Sequence, residues 1–111
     1  MDTKLGKIAG VSFGHGGYQD VMIGLNLTLE GDGWGVCTNI SGWDAELMEC
    51  TERCKWTEED RDVDYASIIR EISKLLSQAK VSKVSDLKGV PIEATFEANT
   101  LKSWRILTEV I

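Results

Sequence analysis

Proline occurs once in 111 residues, histidine once, and cysteine three times, and each scarcity removes a class of reading. With His15 alone, no multi-histidine metal site can form within one chain. Three cysteines are an odd number, and without a secretory leader they read as free thiols in a reducing compartment rather than a disulfide framework. No run approaches the roughly 20 apolar residues that a membrane span requires. The start, Met1-Asp2-Thr3-Lys4, lacks the apolar stretch of a signal peptide. Asn26-Leu27-Thr28 and Asn39-Ile40-Ser41 are therefore glycosylation acceptors in form only. Positive charge is also short: 12 Lys and Arg stand against 18 Asp and Glu, a formal charge of -6. That balance argues against direct nucleic-acid or membrane binding and is most simply a device for solubility. A soluble chain in the cytoplasm is the resulting expectation.

What remains is an ordinary globular composition, 42% hydrophobic and 27% charged, in one domain long enough to bury a core without metal or disulfide staples. No repeat, low-complexity stretch or linker interrupts it, so residues 1–111 form one domain. Most glycines lie before Gly42, which predicts strands and turns first and helix in the middle. Residues 4–13, with Ile8, Val11 and Phe13, suit a first strand, and Gly14-His15-Gly16-Gly17 reads as a loop. Val21, Ile23, Leu25, Leu27 and Leu29 alternate with Met22, Gly24, Asn26 and Thr28, the period of a half-buried strand. Glu30-Gly31-Asp32-Gly33 supplies a hairpin turn, and Trp34, Val36, Thr38 and Ile40 the returning strand.

Asp44 could cap a short helical turn over Ala45, Glu46, Leu47 and Met48. A long helix follows near 58–80. Thr57 is its N-cap, and Glu58, Glu59 and Asp60 complement the positive end of the dipole. Tyr65, Ile68, Ile69, Ile72, Leu75, Leu76 and Ala79 form one stripe at three–four spacing, with Arg70, Lys74 and Gln78 opposite. Ser85 to Gly89 is a turn. Val90, Ile92, Ala94 and Phe96 begin a second hairpin turned at Ala98-Asn99, and the last strand, about 101–111, reads as apolar on both sides. The expected fold is α+β: a mostly antiparallel sheet of about five strands packed on one long amphipathic helix. One helix covers one sheet face, so a second subunit or the 44–56 segment is expected on the other, and a homo-oligomer follows.

The chemistry-bearing residues give no catalytic set. His15 with Cys37, Cys50 or Cys54 would make a nucleophilic pair, and the same four residues a Cys₃His zinc site, but the single Cys50–Cys54 pair lacks the knuckle spacing of structural zinc. Plain buried or half-buried thiols explain the cysteines better. Gly14-His15-Gly16-Gly17-Tyr18 is glycine-rich like a phosphate loop, yet it lacks the Lys-Ser/Thr ending and leads into a strand. A backbone nest for an anion is what it could still form, against a plain hairpin or bulge. Glu58, Glu59, Asp60, Asp62 and Asp64 are better explained as helix-end charge than as a metal cluster. Trp34, Trp43, Trp56 and Trp104 are many for this length. Trp43 and Trp56 flank irregular segments, where a half-exposed ring could stack on a base or anchor a partner.

The chain resembles a group of small proteins encoded by tailed bacteriophages and prophages. The likeness lies in Gly14-His15-Gly16-Gly17-Tyr18-Gln19-Asp20 with Val21-Met22-Ile23-Gly24-Leu25, in Lys55-Trp56-Thr57-Glu58-Glu59-Asp60-Arg61, and in Leu101-Lys102-Ser103-Trp104-Arg105-Ile106-Leu107-Thr108-Glu109. It brings no catalytic or binding residue with it. What it implies is setting: an accessory protein made in the host cytoplasm during infection. The expected function is non-enzymatic, without cofactor or metal: binding and sequestering a small nucleotide-like signal of host defence. His15, Gly16, Gly17, Tyr18, Trp43 and Trp56 are the candidate ligand-binding residues. The alternatives are an acidic inhibitor of a host defence protein complex, in the manner of anti-CRISPR proteins, and an early-region helper of replication or recombination.

Overall fold

The computed structural model describes residues 2–16, 21–44 and 57–111. Among these are five strands and one α-helix. β1 spans Asp2–Gly16, β2 Met22–Gly31, β3 Trp34–Trp43, α1 Glu58–Ala79, β4 Pro91–Glu97 and β5 Thr100–Ile106, with short 3-10 turns at Val84–Leu87 and Thr108–Val110. The strands form one antiparallel, curled sheet in the order β3-β2-β1-β4-β5. The expected α+β class, with a five-stranded antiparallel sheet and one long helix, is what the chain adopts.

β1 organises the sheet by serving two partners with different halves. Asp2–Lys7 pair with β4, whereas Gly6–Gly16 pair with β2 from Gly31 back to Met22. A bulge between Ile8 and Gly10 falls just after β1 parts from β4, where an extra residue bends a strand and adds twist. The loop expected at Gly14-His15-Gly16 is instead the end of β1. Gly14 pairs with Gly24, His15 with Ile23 and Gly16 with Met22. Ladder pairing with an alternating, strongly strand-forming β2 outweighs the weak local preference of glycine.

Both hairpins turn where expected. Gly33 has φ 76°, and Ala98 and Asn99 have φ 50° and 68°, the paired positive values of a tight hairpin turn. β5 is shorter than the sequence suggests and ends at Ile106. Leu107 donates its N–H to the Pro91 carbonyl and the chain then tightens into a 3-10 turn. A bulge in β5 also brings Leu101 opposite Phe96, on the face that carries Trp104 and Ile106. The last strand is thus not apolar on both sides.

One concave face carries the core. Cross-strand partners share a face, so the register aligns Ile8, Val11 and Phe13 of β1 with Leu29, Leu27 and Leu25 of β2, and these with Val36, Thr38 and Ile40 of β3. Ile92, Ala94 and Phe96 extend the face through β4. Ile8, Leu25, Leu29, Leu87 and Ile92 are wholly buried. Trp34 meets Phe96 edge-to-face with centroids 5.2 Å apart, a favoured aromatic geometry.

α1 lies on this face. Thr57 and Asp60 form a reciprocal capping box, Thr57 Oγ1 accepting from the Asp60 N–H and Asp60 Oδ2 from the Thr57 N–H, which satisfies two amides at the helix start. Ile72, Leu75 and Ala79 are buried and Ile68, Tyr65 and Leu76 half-buried, but Ile69 is 60% exposed. Arg61, which the stripe omits, is 5% exposed. The helix sits near the β3 edge, with Gly42 of β3 beneath Ile68, so one flank of its stripe overhangs a part of the sheet that no other described element covers. The short turn expected over residues 45–48 lies outside the described residues.

Candidate functional site

Among the described residues, the part of the concave face that α1 does not cover forms a groove of about 410 Å³. Phe13, Ile23 and Gly24 are its floor, Tyr65, Ile68 and Ile69 its helical wall, and Asp44 closes one end. Phe13 is 53% exposed although it lies in register with the wholly buried Leu25. The cause is position: Phe13 projects from the part of β1 that the helix does not reach. Phe13 from the sheet and Ile69 from the helix are two large exposed hydrophobic side chains that line this one groove. Exposed apolar surface gathered in a concavity is the first candidate for a binding site.

The polar end is built by the ladder. His15 follows Phe13 on the same face, and its Nε2 lies 2.7 Å from Asp44 Oδ2. Asp44 is 8% exposed and its N–H donates to the Val21 carbonyl at 2.9 Å, which fixes the carboxylate just beyond β3. The Tyr65 hydroxyl donates to the Trp43 carbonyl at 3.1 Å, tying the helical wall to the same strand end. A short carboxylate–imidazole contact holds the ring in one orientation. It leaves Nδ1 as a second hydrogen-bonding position.

The candidate residues separate. His15 reaches the groove through Asp44, while Gly16 lies one step further along β1, paired with Met22, which in turn pairs with Trp43. Trp43 lines a different, smaller cavity of about 180 Å³ with Asp60, Arg61 and Asp64 at the helix start. Gly17, Tyr18 and Trp56 lie outside the described residues, as do Cys50 and Cys54. Cys37 is exposed on β3. Among the described residues no group of three His, Cys, Asp or Glu side chains could hold a metal ion, and no helix is long and apolar enough to cross a membrane.

None of the seven residues that line the groove is among the ligand-binding candidates read from the sequence. Phe13, two residues before His15, was the accessible signal: a strand partner two positions away shares a face.

Among the described residues, the fold is a five-stranded antiparallel sheet with one helix on its concave face and an apolar groove beside that helix. No protein-family model, curated protein or solved structure matches the chain.

Proposed function

We propose that this chain is a non-enzymatic binder of a small nucleotide-like molecule, and that it acts against host defence in infected bacteria by sequestering such a signal. The groove between Phe13 and Ile69 is the observation that carries the binding reading. Its volume, about 410 Å³, falls in the range of small-ligand sites. A flat heteroaromatic ring in this groove would stack on Phe13 and pack against Ile69, so that stacking and apolar burial act together. At the closed end the Asp44 carboxylate accepts hydrogen bonds from ribose hydroxyls, and His15 supplies a polar partner beside it. The phage-protein resemblance supports the setting, and tight binding without turnover is what sequestration needs.

A homo-oligomer belongs to the same proposal. Its support is now the exposure of Phe13 and Ile69 in a single chain, not the final strand, and a second subunit would roof the groove. Sedimentation velocity across a concentration series reads the association directly.

The binding test is thermal. The protein is heated with cyclic nucleotides and ADP-ribose-type compounds, one of which raises the melting temperature in a dose-dependent way. Phe13→Ala abolishes that rise while lowering the unliganded melting temperature little, because the ring is half exposed. A panel that leaves the melting temperature unmoved, or a rise that survives Phe13→Ala, counts against the groove as the site.

A further inference from the structure

The opposite flank of α1 borders a second concavity, of about 310 Å³. It lies where the curled sheet brings its two edge strands towards the helix: Ile40 of β3 on one side, Trp104 and Ile106 of β5 on the other. Trp104 pairs with Ala94, whose small side chain leaves the ring room, and the indole is packed against the core yet half-buried. Above it stand Glu71, Lys74 and Gln78, three positions that fall on one helical face.

The charges here are arranged unusually. Arg105 also borders the cleft, but its guanidinium is bound to Glu93 at 3.1 Å and to both oxygens of Glu109 at 3.0 and 3.2 Å. Glu71 and Lys74 hold no ion-pair partner among the described residues. The cleft thus offers one free carboxylate, one free ammonium, a carboxamide and a stacking ring. Its two free charges cancel, so nothing in it selects a phosphate.

We propose that this cleft is a second binding site, selective for a guanine-type base stacked on Trp104. A carboxylate only accepts hydrogen bonds, and guanine alone among the common bases presents two adjacent donors, N1–H and the 2-amino group. Lys74 only donates, and the guanine O6 acceptor adjoins N1. Adenine would place its N1 lone pair against Glu71, and cytosine would do the same with N3. Gln78, with both donor and acceptor, adapts to the remaining edge. The site shares no lining residue with the Phe13 groove and does not depend on what that groove binds.

Isothermal titration of the full chain with GMP, IMP and AMP as probes tests this, with far-UV circular dichroism confirming that each variant is folded. GMP binds at least about ten-fold more tightly than AMP, because each charge-assisted hydrogen bond discriminates on that order. IMP, lacking the 2-amino group, falls between them. Glu71→Gln, a change on an exposed helix face, removes the preference for GMP, and Lys74→Met weakens GMP more than AMP. Equal affinities for GMP and AMP, no binding of any probe, or a Glu71→Gln chain that keeps its preference overturns the assignment.

Discussion

Gly24 illustrates how a single residue ties the groove to the fold. It forms part of the groove floor, and its φ of 155° is a conformation that side chains avoid. A Cβ there would sit 2.6 Å from Ser41 Cα and closer still to the Ile40 carbonyl oxygen. Both neighbours are backbone and cannot swing away. Gly24→Ala therefore destabilises the protein by roughly 3 kcal/mol or more, from strain and overlap together, and separates β2 from β3 next to the site. Equilibrium urea unfolding measures the loss. His15 could be singled out from sequence because it has no rival in the chain. Its partner could not, since Asp44 is 29 residues away and reads locally as a helix cap. Ile69 and Arg61 mislead for a related reason. The stripe predicts which side of a helix is apolar, not how far the sheet extends beneath it, and α1 stops short of Phe13.

At the scale of elements, alternation and capping were legible because they are local. Val21 to Leu29 states its own period, and Thr57 with Asp60 states its own cap. Strand ends were not, because they depend on partners. Glycines extend β1 to Gly16 only because β2 lies beside them, and β5 ends at Ile106 because Leu107 turns to Pro91. The terminal 3-10 turn is held by the Arg105–Glu109 pair. Hydrogen bonding to Glu109, then to Glu93, raises the Arg105 pKa, and bonding from Arg105 lowers that of Glu109. A carboxyl whose folded pKa is depressed stabilises the fold above its unfolded value and loses that contribution as pH falls through the folded one. The turn is accordingly retained at the ordinary carboxylate pKa, near about 4.3, and released only at lower pH. Side-chain NMR titration of Glu109 follows this directly. In Arg105→Gln the titration moves up towards the ordinary range, with the backbone hydrogen bond to Glu109 still lowering it; an unchanged midpoint would show that Arg105 is not the main cause.

For the whole molecule, the decisive feature is that two hairpins share one strand at its opposite ends. β2–β3 and β4–β5 overlap on β1 only at Gly6 and Lys7, and just beyond this crossing Ile8 joins both sides. Its side chain faces Leu29 and is wholly buried, its N–H donates to Val90 at 3.0 Å, and its carbonyl accepts from Gly89 at 2.7 Å. Had the hairpins separate cores, loosening this point would let one melt before the other. The buried cluster instead runs continuously from Leu25 through Ile8 and Leu87 to Ile92 and Ile106, with Ile72 and Leu75 of the helix against it. Ile8→Ala therefore costs the entire domain about 3 kcal/mol, not one half of it. Its urea transition moves to lower concentration but stays single, and tryptophan fluorescence and far-UV circular dichroism, which sample different parts of the molecule, coincide. Two separated transitions would mean that the halves fold independently. The guanine cleft, whose walls come from β3, α1 and β5, would then lack the common scaffold that brings Ile40 opposite Trp104.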